Sequence, residues 1–309
     1  MNIETNSDPM HSSDMTRNTT ILVDRALARR LERCEAHANA SFVEARAAIA
    51  SESAAEGAAE SVSGTAPATK AAWQDIDGTW AMFDGVGSPL TQSFGFGMHT
   101  DPSDERMARL EQFFFARGSD AMHEISVVAD PAVLPILAAR GYHPMEWSQV
   151  LCQPLTNSHG PFVSREELTV RATTREEADG WADVAARGWS SEGTGLEDFI
   201  RAFGQVNARA KATSCFLVES GGMPIAAGAL HIHEGVALLA GASTIPSARG
   251  RGAQRALLEA RLAFAVESGC DLAMMVAAPG STSQKNAQRA GFQIAYSRVK
   301  WMKAAITTP

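Results

Sequence analysis

An arginine-glycine segment near position 250 has the residue types needed to hold a phosphate group. It reads Arg249-Gly250-Arg251-Gly252-Ala253-Gln254, and Leu258, Leu262, Ala265 and Val266 follow it at the spacing of one helical face. The first N–H groups of a helix lack partners and carry partial positive charge, so a glycine-rich turn that opens a helix binds anions. Because two arginines add to that charge, the segment predicts a pyrophosphate site.

A predicted strand positions this segment. Residues 236–240 are apolar, Gly241-Ala242-Ser243-Thr244-Ile245 continues the extended run, and Pro246 ends it. The segment lacks the Gly-x-x-x-x-Gly-Lys-Ser/Thr pattern of nucleotide triphosphatases and the third glycine of the dinucleotide fingerprint. A surface arginine-glycine turn before an ordinary helix is the alternative interpretation of the six residues taken alone.

The segment resembles the acyl-CoA loop of the GNAT superfamily of N-acyltransferases, Gln/Arg-x-x-Gly-x-Gly/Ala. It departs from that pattern at Gln254, where the family usually has glycine or alanine. A second stretch, Ser283-Gln284-Lys285-Asn286 followed by Gly291-Phe292, is also similar to the family. The resemblance implies an α+β fold, with three α/β/α layers around a mixed, mostly antiparallel sheet.

The same resemblance implies which residues hold the cofactor, acetyl-CoA or a related acyl-CoA. The loop would bind the pyrophosphate, the strand would hydrogen-bond to the pantetheine arm, and the later helix would approach the arm or the departing thiol. The implied cofactor residues are Ala242, Ser243, Thr244, Arg249, Gly250, Arg251, Gly252, Ala253, Gln254, Ser283 and Asn286.

The second half of the chain, residues 166–303, follows the GNAT order of elements. A first strand at 168–172 precedes helices at 174–189 and 196–207. Strands at 214–219, 224–233 and 236–245 then form an antiparallel meander, with Gly221-Gly222 as a hairpin turn. The loop, its helix, a fifth strand, a fourth helix and the final strands complete the predicted domain.

The first half resembles a second copy of this unit. A strand at 124–129, a helix at 130–140 and Gly141-Tyr142 align without a gap with a strand at 274–278, a helix at 281–290 and Gly291-Phe292.

Upstream of that alignment the first half is shorter. If Pro102 is aligned with Pro246, the stretch from this proline to the next aligned glycine is shorter in the first half. The difference is about the length of residues 247–253, which contain most of the loop. We therefore expect two tandem domains, a degenerate GNAT-like domain without a phosphate loop at 19–157 and an acyl-CoA-binding domain at 166–303, after a disordered tail at 1–18.

The sequence does not assign the acid and base of acyl transfer. Many GNAT members have a tyrosine four residues before the Gly-Phe glycine to protonate the leaving thiolate, and that position is Ala287 here. His231 and His233, on one face of a strand, are weak candidates for the base, as are Glu219 and Asn286. The two histidines could also ligate a metal, but no third ligand has suitable spacing, so no metal is expected.

Composition limits the class of protein. The 309 residues are 45% hydrophobic and 20% charged, which is typical of a globular protein. The formal charge of −8 argues against a general nucleic-acid or membrane-surface binder. Four isolated cysteines, the lack of a secretion signal and the lack of a long apolar run favour a cytoplasmic protein.

These observations predict an N-acetyltransferase that moves an acetyl group from acetyl-CoA directly to a primary amine. The acceptor, a small molecule or a peptide, is left open, and a homodimer is one option for assembly. The alternative is a non-catalytic acyl-CoA-binding or sensing protein, since the family's tyrosine is absent.

Overall fold

The computed structural model describes residues 21–57, 70–156, 167–190 and 196–305. The predicted disordered tail at 1–18 lies outside the described residues.

Helices and strands alternate in residues 104–154 and again in residues 253–303. The helices are α1 (Arg25–Gly57), α2 (Asp104–Phe115), α3 (Val133–Ala139), α4 (Ala178–Trp189), α5 (Leu196–Asn207), α6 (Ala253–Glu267) and α7 (Thr282–Arg289). The strands are β1 (Ala72–Ile76), β2 (Thr79–Phe83), β3 (Gln92–Phe94), β4 (Ala121–Ser126), β5 (His143–Pro154), β6 (Thr169–Ala172), β7 (Thr213–Ser220), β8 (Met223–His233), β9 (Val236–Thr244), β10 (Leu272–Ala277) and β11 (Gln293–Lys303).

The strands form one sheet in the order β1-β2-β3-β4-β11-β5-β10-β9-β8-β7-β6. Neighbouring strands are antiparallel except for β3 with β4 and β9 with β10. The α+β class and the mixed, mostly antiparallel sheet expected from the sequence are confirmed.

Alternation along the strands separates the two faces of the sheet. On β7, Cys215 and Leu217 pack in a cluster with α4, whereas Phe216 and Val218 pack in a cluster with α6. Because successive strand side chains point to opposite faces, α4 and α6 cover opposite sides of the sheet and give the three-layer architecture.

The long helix α1 lies between the two halves of the sheet. His37 on α1 lies near Trp80 of β2 at a ring separation of 6.2 Å and near His231 of β8 at 5.1 Å. Further along, the ring of Phe42 on α1 contacts that of Phe203 on α5 in a tilted arrangement, with 4.3 Å between the ring centres. The sheet therefore curves around α1, whose buried stripe supplies core to both halves.

The two halves exchange their final strands. β11 inserts between β4 and β5, and β5 inserts between β11 and β10. In register, Lys300 of β11 faces Glu124 of β4, and Leu151 of β5 faces Met275 of β10. The sequence did not predict this exchange, and it means that strands of both halves cross any boundary drawn at residues 157–166.

The structure corrects the alignment of Pro102 with Pro246. Residues 95–103 join β3 to α2, and residues 245–252 join β9 to α6, so the two connections are of almost equal length. Pro102 lies directly before the N-cap of α2, whereas Pro246 opens a 3-10 turn well before α6. The first half is therefore not shorter because of this connection. Part of the difference is that α2, with 12 residues, is shorter than α6, with 15.

None of the described helices is both long enough and apolar enough to span a membrane.

Candidate functional site

The site is built around an opening between β9 and β10. Their parallel pairing runs only from Val236 to Leu238 on β9. Beyond it, Ala240 and Gly241 are exposed although β9 has neighbours on both sides. Opposite them on β10, Met275 and Val276 are half-buried. An interior strand that becomes exposed in mid-course marks a cleft that enters the sheet.

A bulge in β9 accompanies this opening. Ala229 of β8 faces Ala240 of β9 and Ala227 faces Ser243, so one β8 residue, Gly228, opposes Gly241 and Ala242. Gly241 has a φ of 61°, a left-handed conformation that favours glycine. A bulge bends its strand, so this one directs β9 away from β10.

The start of α6 borders the cleft and is uncapped. Its N-cap is Gly252, at φ 84°, and no side chain accepts a hydrogen bond from the first turn. Among the described residues, the backbone N–H groups of 250–255 have no acceptor. A Cβ added to Gly250 or Gly252 would meet nothing within 4 Å. The open space and unpartnered donors fit an anion.

Loop side chains divide between supporting the loop and facing solvent. Arg249 donates to the carbonyl oxygen of Gly188 at 3.0 Å, and its Nε donates to that of Thr244 at 3.3 Å. Gln254 donates to the Thr244 hydroxyl at 2.6 Å. These contacts fix the loop to the end of β9 and to α4, whereas Arg251 is exposed and provides a cation next to the anion site.

The predicted β9 residues line the cleft through their backbone. The Ser243 hydroxyl donates to the Ala185 carbonyl at 3.0 Å, so its side chain faces α4. A Cβ on Gly188 would lie 2.3 Å from that hydroxyl, which shows how closely α4 approaches β9. Because their side chains are small or turned aside, Ala242, Ser243 and Thr244 leave backbone groups next to the cleft.

The corresponding opening in the first half is closed. The β3–α2 connection turns back over the sheet and buries Phe96 and Met98. The N–H of Asp130 donates to the carbonyl of Gly97 at 3.0 Å, joining this connection to the loop after β4. In addition, Ser103 caps α2, and its first turn is acidic, with Asp104 and Glu105.

The part of the chain that contains this cleft matches a known family. Residues 178–292 match the sequence model of the Acetyltransferase (GNAT) family, a range that includes α4 to α7 and the loop. This part of the chain is a GNAT-family acetyltransferase domain. No curated protein matches the sequence of the chain.

Solved structures share the fold over both halves of the chain. A GCN5-related N-acetyltransferase from Kribbella flavida is 16% identical, with a TM-score of 0.53 over 84% of this chain and 95% of that chain. A functionally unknown conserved protein from Staphylococcus epidermidis is 8% identical, with a TM-score of 0.54 over 81% and 98%. A tandem GNAT protein from the clavulanic acid biosynthesis pathway is 13% identical, with a TM-score of 0.52 over 79% and 86%. At these identities the similarity is one of fold.

The predicted residues on α7 of the GNAT domain are exposed. Ser283 and Asn286 both face solvent, and the Asn286 side-chain oxygen accepts from Arg289 at 3.2 Å. Ala287, at the position of the family's tyrosine, is buried in the core at 2% exposure. The structure therefore leaves no acid at that position.

Both tyrosines of the chain are engaged elsewhere. The Tyr142 hydroxyl lies 2.9 Å from Nε2 of His123, and the Tyr296 hydroxyl donates to Glu32 at 2.8 Å. Each tyrosine is buried, and burial raises the pKa of both phenols. Neither hydroxyl is placed to protonate a thiolate in the cleft.

The two histidine candidates do not reach the cleft. His231 pairs in register with Leu238 and His233 with Val236, in the part of β9 that is still paired with β10, before the opening begins at Ala240. His231 is held by His37 at 2.9 Å, and burial lowers its pKa to about 3. This geometry assigns them to the contact between α1 and β8 and removes them as candidates for the base.

Glu219 forms an ion pair outside the cleft. Its Oε1 accepts from Nε of Arg171 at 2.9 Å, on the far side of β8 from the cleft. Among the described residues, no group of three or more His, Cys, Asp or Glu side chains is arranged to hold a metal ion.

One cleft residue was missed by sequence reasoning. Arg261 of α6 is 2% exposed and donates to the carbonyl of Ala229 on β8 at 2.9 Å and to that of Ala240 on β9 at 3.3 Å, the register pair next to the bulge. The signals that could have found it are an arginine on the buried face of a helix and Gly228 within a strand.

Proposed function

We propose that this protein transfers an acetyl group from acetyl-CoA directly to a primary amine and binds one acetyl-CoA per chain in the second half. The observation that carries the proposal is the exposure of β9 in the middle of the sheet, next to the uncapped start of α6. The α6 amides and Arg251 would bind the pyrophosphate, and the backbone of 242–244 would hold the pantetheine arm between β9 and β10.

The transfer needs no covalent enzyme intermediate. The nitrogen of a neutral amine attacks the thioester carbonyl carbon, and the C–N bond forms as the C–S bond breaks. The thiolate leaves with the electron pair of that bond and takes up a proton, while the new ammonium loses one. Orientation in the cleft and polarisation of the carbonyl by backbone N–H groups would supply the rate enhancement.

The first half, proposed as a degenerate domain at 19–157, would contribute a wall of the acceptor cleft. Its strand β5 pairs with β10 only as far as Gln149, so residues 143–148 extend past the end of β10. Met145 and Trp147 on this extension are 55% and 58% exposed. An apolar surface beside a catalytic cleft suits the binding of an acceptor.

A second candidate is a non-catalytic acyl-CoA-binding or sensing protein. It is favoured by the burial of Ala287 at the family's tyrosine position and by the engagement of Tyr142 and Tyr296 elsewhere. CoA thiolate is a fair leaving group, so the lack of a tyrosine slows the transfer without preventing it.

Calorimetric titration with acetyl-CoA tests the proposal, followed by a free-thiol release assay over a panel of amines. We expect saturable binding with one site per chain and thiol release that depends on at least one amine. Binding without turnover on any amine would favour the sensor, and a lack of binding would exclude both candidates. The cytoplasmic location, the homodimer and the absence of nucleic-acid and membrane partners stay predictions.

A further inference from the structure

Among the described residues, two arginines are almost completely buried, and they have different surroundings. Arg298 of β11 contacts three carboxylates, those of Glu32, Glu35 and Glu124, at 2.7 to 3.6 Å. Arg261 of α6, in contrast, has no carboxylate partner among the described residues, and burial lowers its pKa to about 10. A buried charge without a counter-ion destabilises a fold, so its presence indicates another role.

The partners of Arg261 are backbone carbonyls at the β9 bulge. Its Nη1 donates to Ala229 on β8 at 2.9 Å and to Ala240 on β9 at 3.3 Å, and its Nε donates to Leu257 of its own helix at 3.3 Å. Ala229 and Ala240 are the last register pair before the interruption. One guanidinium therefore joins both strands at the point where β9 leaves regular pairing.

Gly228 makes room for this guanidinium. A Cβ at this position would lie 3.2 Å from Nη1 and 3.3 Å from Cζ of Arg261, and 2.9 Å from a methyl group of Leu257. Gly228 has ordinary backbone angles, so the close approach of the arginine, and not the conformation, requires a glycine here.

We propose that Arg261 is a positioning residue for the acyl-CoA site, whose guanidinium holds the β9 bulge and thereby keeps β9 apart from β10. The bulge interrupts the regular pairing of β8 and β9 next to Ala229 and Ala240, and the guanidinium provides a link between the two strands at this point. Nη1 reaches both strand carbonyls while Nε binds the carbonyl of Leu257, and a lysine ammonium, with one nitrogen, does not reproduce this combination. The proposal rests on the acyl-CoA site proposed above, but the shape of β9 can be measured without cofactor.

The test compares Arg261→Met, Arg261→Lys and Gly228→Ala with the unmodified chain. Hydrogen exchange of peptides covering 239–244 reports on the bulge, titration with acetyl-CoA reports on the site, and thermal unfolding reports on the fold. For R261M we expect exchange in 239–244 to rise at least about tenfold and acetyl-CoA affinity to fall at least about tenfold, with Tm changed by only a few degrees.

The other variants separate the geometry of the arginine from its charge. R261K, which keeps the charge, should restore part of the protection and part of the affinity. G228A keeps the arginine but displaces it. Like R261M, it should raise hydrogen exchange in 239–244 and lower acetyl-CoA affinity. The matched control is Arg209→Met, because Arg209, just after α5, also donates to a carbonyl four residues earlier, that of Gln205, but its side chain is 40% exposed.

The outcomes separate this proposal from the proposed function. Unchanged exchange in 239–244 for both R261M and G228A would overturn the positioning role. Loss of protection over the whole sheet, or failure of R261M to fold, would also overturn it, since the arginine would then be a general structural residue. If the unmodified chain does not bind acetyl-CoA, the proposed function fails, and the exchange data still decide the role of Arg261.

Discussion

The β3–α2 and β9–α6 connections occupy the same place in the two halves and have opposite characters. The first, residues 95–103, turns back to bury Phe96 and Met98 and leads to a capped helix with an acidic first turn. The second, residues 245–252, leaves the middle of β9 exposed at Ala240 and Gly241 and leads to an uncapped helix without acidic residues in its first turn. The two halves thus differ at the end of their parallel strand pair. Next to β3 and β4 the connection fills the space, whereas next to β9 and β10 the space is left open.

Substitution of the N-cap glycine of α6 should produce the largest change. Gly252→Val places a β-branched residue at φ 84° and puts methyl groups among the unpartnered amides. We expect acetyl-CoA affinity, measured by calorimetry, to fall at least about a hundredfold. Gly118→Val is the control, because Gly118 has a φ of 68° and open surroundings but lies far from the loop. Retained affinity in G252V would remove the loop from the site.

The two halves also differ in how they hold a buried histidine. In the first half, His123 lies 2.6 Å from the hydroxyl of Ser93 and 2.9 Å from that of Tyr142. In the second half, His231 bonds His37 and the Thr213 hydroxyl. Burial lowers the pKa of both His123 and His231 to about 3.

Acid should therefore destabilise both halves. The unfolded chain binds a proton at each of these histidines near pH 6.5, whereas the folded chain does so only near pH 3. The stability that comes from neutral histidines is complete above pH 6.5 and falls with decreasing pH, by up to about 2 kcal/mol per histidine between pH 6.5 and 5.

Urea unfolding of His231→Gln and His123→Gln at pH 7 and pH 5 measures this effect. Each variant should lose less stability on acidification than the unmodified chain does. Burial raises the pKa of Glu32 to about 7, which adds a contribution of opposite sign, but this contribution cancels between the chains compared. His143→Gln, at an exposed position, is the control. An equal acid loss in all chains would contradict the neutral state of the buried imidazoles.

A smaller change gives the start of α6 an acidic residue like those of α2. Gln254→Glu keeps the size of the side chain but adds a negative charge next to the pyrophosphate. We expect about a tenfold loss of acetyl-CoA affinity at low salt and a smaller loss at high salt. Gln254→Ala removes only the bond to the Thr244 hydroxyl and should cost about threefold. If Q254E were no weaker than Q254A, charge at this helix end would not distinguish the two halves.

The smallest effect is expected on α7. Asn286 is exposed and bonds Arg289 within its own helix. Asn286→Ala should change acetyl-CoA affinity and the rate of thiol release by less than about twofold. A loss of tenfold or more would return Asn286 to the catalytic candidates.

Local pattern predicted the elements of the second half well. Helix α5 was predicted at its observed bounds, and β9 differed by one residue at its end, because periodicity and Pro246 mark these elements directly. Strand β1 was missed, since Ala72–Ile76 is short and carries an aspartate and a glutamine. The arginine-glycine loop could be proposed as an anion site from the sequence because its chemistry depends on contiguous residues.

The rest depends on contacts that are distant in sequence. A strand pattern does not name its partner, so the exchange of β5 and β11 was not visible. His231 and His233 share a strand face as predicted, but only the position of α1 shows that this face is covered by His37. Arg261 was not singled out because it donates to the backbone carbonyls of Ala229 and Ala240. The types of these residues do not indicate that their carbonyls bind an arginine.

The exchanged strands also set an order of events during synthesis. β4 in the first half is completed by β11, whose residues 293–303 are the last described strand to leave the ribosome. Until then the edge of β4 has no partner, and Glu32, Glu35 and Glu124 lack Arg298. The first half therefore cannot fold to completion ahead of the second, unlike domains that fold one after another as they emerge. Deletion of β11 would therefore leave the edge of β4 unpaired, although β4 lies far from β11 in the sequence.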